Sequence, residues 1–148
     1  MEIKSPEFKN GGPIPIKFTC DGEDISPPLA ILGVPGGAKS LALIMDDPDA
    51  PGGTWMHWVV WNIEPDTDEI GEGELPFSSA EGVTSAKTRG YHGPCPPQGK
   101  HRYFFKLFAL DTALEISEDT DRGGLEEAMK GHVMAEAELM GTYERPGR

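Results

Sequence analysis

Apolar residues fall along this chain in short runs separated by turn residues, and most of the runs have a period of two or are apolar on both parities. Residues 3–8 form a short first run. Ile14, Ile16 and Phe18 alternate with Pro15, Lys17 and Thr19, which predicts an edge strand with an early proline. Leu29-Ala30-Ile31-Leu32 follows Ser26-Pro27-Pro28, and residues 40–45 make a continuous apolar strand buried on both faces. The clearest strand spans residues 55–63. Trp55, His57, Val59, Trp61 and Ile63 share one parity, and Met56, Trp58, Val60 and Asn62 share the other. Residues 64–79 are acidic and Gly-rich and predict a long loop; residues 83–88 predict a short strand. Residues 103–110 are again apolar on both faces. Acids at 119–121 offer N-caps for a short helix ended by Gly131. Residues 133–143 contain good helix formers, but Val133, Ala135, Ala137 and Leu139 alternate with Glu136 and Glu138, and that pattern predicts a strand.

About eight strands with one or two short helices, and no alternation of strand and helix, predict an antiparallel, mainly β domain of two packed sheets. No internal repeat or linker divides the chain, so residues 1–148 are read as one domain. Glycine (19) and proline (14) are spread between the apolar runs, as turns joining strands require.

Charge narrows the partners. Thirteen Lys and Arg against 25 Asp and Glu give a formal charge of −12, with no basic cluster. Nucleic acid and anionic membrane surfaces, both bound through Lys and Arg, are poor partners for such a chain. No apolar segment reaches the ~20 residues of a membrane span, and the first residues lack a basic-then-apolar leader pattern, so a cytoplasmic protein is expected. Cys20 and Cys95 are too few for a disulfide scaffold or a four-cysteine zinc site; a single bridge between them stays open, although a reducing cytosol disfavours it.

Two rigid loops each deliver a histidine to a strand. Met45-Asp46-Asp47-Pro48-Asp49-Ala50-Pro51 precedes His57, and Gly93-Pro94-Cys95-Pro96-Pro97 precedes His101, Arg102 and Tyr103. A carboxylate accepting from one ring nitrogen fixes the tautomer of an imidazole and favours its charged form. His57, His101 and the Tyr103 hydroxyl, with Asp47 and Asp49 beside them, could therefore form a small cup of donors for a phosphate-like or carboxylate anion, and Cys95 could line it. Each feature alone is commonly structural: a histidine on an apolar strand is usually a hydrogen-bonded core residue, and an Asp-Pro-Asp turn is usually only a turn. Arg102 has the opposite parity to His101 and Tyr103 and is expected to pair with a loop acid. His92 and His132 read as incidental. No nucleophile motif is present, and nothing in the spacing of the two Asp and two His demands a metal or another cofactor.

Asp47-Pro48-Asp49-Ala50-Pro51, His57 in its Trp-rich strand, and Gly99-x-His101-Arg102-Tyr103 resemble the two signature regions of the phosphatidylethanolamine-binding protein family. Cys20-Asp21-Gly22, Ser26-Pro27-Pro28-Leu29 and Ala137-Glu138-Leu139-x-Gly141-Thr142-Tyr143 are similar to its short prokaryotic, Raf-kinase-inhibitor-like branch. The resemblance implies a β-sandwich built on a large antiparallel sheet. It also implies a pocket for phosphate-like groups or phospholipid head groups formed by Asp47, Asp49, His57, His101 and Tyr103, with Pro51, Gly93, Pro94, Cys95 and Pro96 at its rim, and a cis peptide at Ala50-Pro51. Longer members carry a C-terminal helix beside the pocket. A chain ending at Arg148 is expected to lack it, leaving a pocket that is more open or covered by a second subunit in a homodimer.

The leading expectation is a non-enzymatic module that binds a phosphorylated small molecule, phospholipid head group or phosphopeptide, and through it regulates a kinase or other signalling partner. The alternative is a serine protease inhibitor using an exposed loop such as residues 64–79. A metal-assisted hydrolase built on the Asp/His cluster is the least favoured.

Overall fold

A computed structural model describes residues 1–147. Eight strands form two antiparallel sheets. The larger has the order β6 (Ala80–Glu81), β4 (Trp55–Ile63), β3 (Ser40–Asp47), β7 (His101–Leu110), β8 (Val133–Tyr143); the smaller has the order β1 (Glu2–Lys4), β2 (Leu29–Leu32), β5 (Glu69–Ile70). Every residue of β3, the middle strand, is buried. It needs a partner layer on both faces, and the two-sided apolar sequence of β3, β4 and β7 supplies the contacts.

On the inner face, Leu43, Met45, Trp58, Val60, Phe105 and Leu107 pack against Ile3, Leu29, Ile31 and Ile70 of the small sheet. On the outer face, Ile44, Val59 and Trp61 pack against Leu125 and Met129 of α1 (Arg122–Met129). The result is a β-sandwich with one helix on its outer side. Asp121 caps α1 by accepting from the Gly124 amide, and Gly131, with φ at +80°, turns the chain into β8.

The strand total matches the sequence pattern, but the membership differs. The alternating stretch at 14–18 is not an edge strand: Ile16–Phe18 form a turn of 3-10 helix. Pro13 and Pro15 have no N–H to give a ladder, and the segment meets the sheet only briefly, at the bridge of Pro13 to Thr142, where Ile14 N–H donates to Thr142 C=O. The first strand stops at Lys4 rather than residue 8. The strand expected at 83–88 is a tight turn, in which Thr84 bonds Thr88 and Lys87 adopts a φ of +68°; a single bridge from Val83 to Arg89 remains. The acidic loop 64–79 contains the two-residue β5. At 133–143 the alternation did outweigh helix propensity, because β8 pairs with β7 along its whole length.

Two buried carboxylates sit side by side at the end of β3 and, by the pleat, face opposite ways. Asp46, on the outer face, pairs with Lys106 Nζ and Arg122 Nη2, each at 2.9 Å. Arg122 is the first residue of α1, so this ion pair fixes the start of the helix to the sheet. Replacing Asp46 with Ala strands two half-buried cations. The substitution is expected to cost about 3 kcal/mol, read as a lowered midpoint in urea unfolding with an unchanged slope.

Candidate functional site

Asp47, the other carboxylate, faces inward. It lies at the end of β3, with His57 at the start of β4 and His101 and Tyr103 at the start of β7, so all four meet at one end of the sandwich's inner layer. His57 reaches this face through a break in register. Met45 pairs with Trp58, but Asp46 pairs with Met56, leaving His57 as the extra residue of a β-bulge. Strict alternation would have put His57 on the helix side with Val59. Instead, its ring meets Tyr103 edge-on at 5.3 Å between centroids. A second irregularity near Asn62, whose φ is +56°, returns Ile63 to the inner face. The shared parity of Trp55, His57, Val59, Trp61 and Ile63 read from the sequence is thus broken twice.

The hydrogen bonds define both rings. His101 Nδ1 donates to Asp47 Oδ2 at 2.7 Å, and Asp47 Oδ1 accepts from the Asp49 amide. His57 Nδ1 donates to the backbone carbonyl of His92 at 2.6 Å. Nε2 is therefore the uncommitted nitrogen of each ring: an acceptor when the imidazole is neutral and a donor when it is protonated. Burial pushes the His57 pKa below its ordinary value, against the opposing pull of the His92 carbonyl and Asp47, so His57 is a neutral acceptor at pH 7. The Tyr103 hydroxyl is buried and makes no well-aligned hydrogen bond among the described residues, although it lies close enough to the Asp47 carboxylate to interact with it. Burial first, and the nearby Asp47 charge second, raise its pKa far above that of a free phenol, so it stays a donor.

These groups line a cavity of about 480 Å³ with Asp24, Pro51, Trp55, Gly93, the Cys20–Cys95 pair, Pro96 and Pro97. A larger hollow of about 690 Å³ runs along residues 2–10 with Glu138 and Leu139, but it gathers no buried titratable groups, and size alone does not mark a site. Among the described residues, no three His, Cys, Asp or Glu side chains converge as metal ligands would.

Several expected site residues stand elsewhere. Asp49 does not line the cavity. Its carboxylate takes the Nε, Nη2 and backbone amide of Arg102, all at 2.9 Å, which is the pairing expected of Arg102. Pro94 is buried behind the rim, its carbonyl accepting from the Cys20 amide. The Ala50-Pro51 peptide is trans, as are all the described peptide bonds. Pro51 and Gly52, with φ at +88°, occupy the centre of a turn closed by Gly53 N–H to Ala50 C=O, and a proline in that second position is suited by a trans bond.

The cavity also includes residues the sequence did not single out. His92, read as incidental, supplies the carbonyl that sets the His57 tautomer. Asp24 pins the Gly93 amide at 2.7 Å, and a side chain at Gly93 would collide with Asp24 and with the backbone of Phe18 and Thr19. The Tyr91-His92-Gly93 lead into the proline loop was the one available hint. Cys20 and Cys95 are joined as a disulfide.

The Asp49–Arg102 pair gives a direct check. Hydrogen bonding to Arg102 holds the Asp49 carboxyl at about 2, well below the ordinary range. A depressed carboxylate stabilises the fold above its unfolded pKa, and that contribution fades as pH falls toward 2. The pair is exposed and solvent screens it, so its effect on stability is small. In Arg102→Ala, which keeps the backbone amide bond, the Asp49 carboxyl is expected to titrate higher, moving toward the ordinary ~3.9, in carbon-detected NMR.

Comparison with known proteins agrees with this architecture. The phosphatidylethanolamine-binding protein family model matches residues 4–144. A UPF0098 protein of Methanothermobacter thermautotrophicus is 53% identical, the alignment covering 98% of this chain and 99% of the relative. A UPF0098 protein of Chlamydia pneumoniae is 48% identical with the same coverage. The crystal structure of CT736, a phosphatidylethanolamine-binding protein homologue from Chlamydia trachomatis, superposes with a TM-score of 0.94 at 46% identity over 97% of each chain. That of E. coli YbcL, described as a member of the mammalian family, gives 0.90 at 31% identity, covering 97% of this chain and 98% of its own. The chain belongs to the phosphatidylethanolamine-binding protein family.

Proposed function

We propose that the cavity binds a phosphate-like group of a small molecule, phospholipid head group or phosphopeptide, and that the protein works as a binding module rather than by catalysis. The observation that carries this reading is the convergence of His57, His101 and the buried Tyr103 hydroxyl in one cavity. A buried donor whose only neighbour is poorly aligned loses part of its bonding energy, and a ligand oxygen in line with the hydroxyl would recover it. His101, once protonated, would give a charge-assisted bond from Nε2 while Asp47 offsets its charge. Neutral His57 has an acceptor at Nε2, which matches the O–H of a monoprotonated phosphate or an N–H of a head-group amine.

At net charge −12, long-range steering opposes an anion, so affinity must come from these local bonds and depend weakly on salt. Such a site would let the protein hold or compete for phosphorylated groups in kinase signalling.

Titration with phosphate and with phosphorylethanolamine, followed by NMR of the histidine ring protons, is expected to move both His57 and His101. His57→Ala and His101→Ala are each expected to weaken binding tenfold or more. If neither ring responds to either ligand, the reading fails.

A second reading rests on Phe77, which is 86% exposed at the tip of the acidic loop, where a backbone turn from Pro76 to Ser79 presents it. A loop displayed in this way could enter a serine protease cleft. Inhibition assays then have a clear expectation: inhibition is lost in Phe77→Ala and retained in His57→Ala and His101→Ala, the reverse of what an anion-dependent activity would show.

A further inference from the structure

We propose that the Cys20–Cys95 disulfide is a positioning element of the cavity, and that its reduction switches the cavity from a formed to an open, weakly binding state. The functional half of this proposal rests on the anion-binding reading above; the structural half does not.

The two cysteines come from different walls. Cys20 follows the 3-10 turn and is a fixed post. Its amide donates to the Pro94 carbonyl at 3.1 Å, and the neighbouring Thr19 closes the turn onto Ile16. Cys95 opens the segment 95–100, which leads straight to His101. That segment has little else to hold it. Pro96 and Pro97 have no N–H, and among the described residues none of the six makes a hydrogen bond or an ion pair. Cys95, Pro96 and Pro97 nevertheless all line the cavity. The wall is therefore a span anchored at one end by a sulfur–sulfur bond and at the other by β7.

Residues before the bridge are held differently. The Tyr91 hydroxyl donates to Phe18 C=O, His92 N–H to His57 C=O, and Gly93 N–H to Asp24. These bonds, and that of Cys20 N–H to Pro94, do not involve sulfur and survive reduction. Breaking the bridge thus frees the wall next to His101 while leaving the sandwich and the Pro94 anchor in place.

Cys95 is exposed and Cys20 partly so, which leaves the bridge open to a dithiol reductant. The reductant's thiolate attacks the Cys95 sulfur, the S–S bond breaks, and Cys20 leaves as a thiolate and takes a proton. The second thiol of the reductant then resolves the mixed disulfide and releases Cys95 as a thiol. Two electrons and two protons pass to the bridge, and the reductant ends as a disulfide. The chain has only these two cysteines, so a dithiol can act on it through no other pair.

The test compares the full chain, oxidised and reduced with dithiothreitol, by NMR of backbone amides and histidine rings and by calorimetric titration with inorganic phosphate. On reduction, the amides of residues 95–100 and the ring signals of His101 are expected to shift, far-UV circular dichroism to stay unchanged, and phosphate affinity to fall tenfold or more. The double variant Cys20→Ser/Cys95→Ser is expected to match the reduced protein in both conditions.

Unmoved ring signals with affinities equal within twofold would overturn the proposal. So would loss of the whole fold on reduction, which would make the bridge a global staple, or a redox response that persists in the double variant. If the oxidised protein binds no phosphate, the anion reading fails on its own, and the ring and amide signals still decide whether the bridge positions the site.

Discussion

Two carboxylates at neighbouring positions on a fully buried strand constrain everything around them. Asp46 and Asp47 are almost wholly buried, and a buried charge persists only if it is paired. The pleat sends them to opposite faces, so each face must bring its own partner. On the outer face, Lys106 and Arg122 answer Asp46 and tie the only α-helix among the described residues to the sheet. On the inner face, His101 answers Asp47. Two residues later the chain has left the sheet, and Asp49 holds Arg102 at the surface. The acid-rich end of β3 is one sequence feature with three separate duties: docking a helix, orienting an imidazole and clamping a loop.

This division explains why an acidic stretch can stand beside a candidate anion site. None of the three carboxylates needs to face the ligand. Asp46 points to the other side of the sheet, Asp49 is spent on a guanidinium, and both oxygens of Asp47 accept bonds from the protein. Their charge is used for holding groups in position. The groups left to meet a ligand are two ring nitrogens and a phenol, each committed at its far side or by burial and uncommitted at the near side.

What could be read from the chain follows from which forces are local. Period two in residues 133–143 is a local property and correctly gave β8, even against the helix-forming character of Met134, Ala135, Glu136 and Ala137. Two-sided apolar runs gave β3, β4 and β7, and the opposite parity of Arg102 gave its pairing with a loop acid. The same local rule failed at 14–18, where prolines remove the donors that alternation presupposes. The inward turn of His57 was not legible, because a bulge is a relation between two strands and β4 alone carries no mark of it. Nor was the union of Cys20 with Cys95, which depends on two loops meeting across 75 residues of sequence. Asp49 and Pro94 were misplaced for a related reason: motif spacing puts residues near a site without saying which way each one turns.

The bulge at His57 has a consequence that concerns chain length rather than chemistry. Side chains on a strand are sorted to two faces by counting, and one added residue changes the count from that point on. Removing a single residue next to His57 would let Asp46 through Met45 pair with β4 in unbroken step, and no side chain would need to change for the imidazole to leave the cavity. Insertions and deletions in β4 are therefore a different kind of variation from substitutions. Two chains could keep every signature residue of this family and still differ in whether the cavity has one histidine or two.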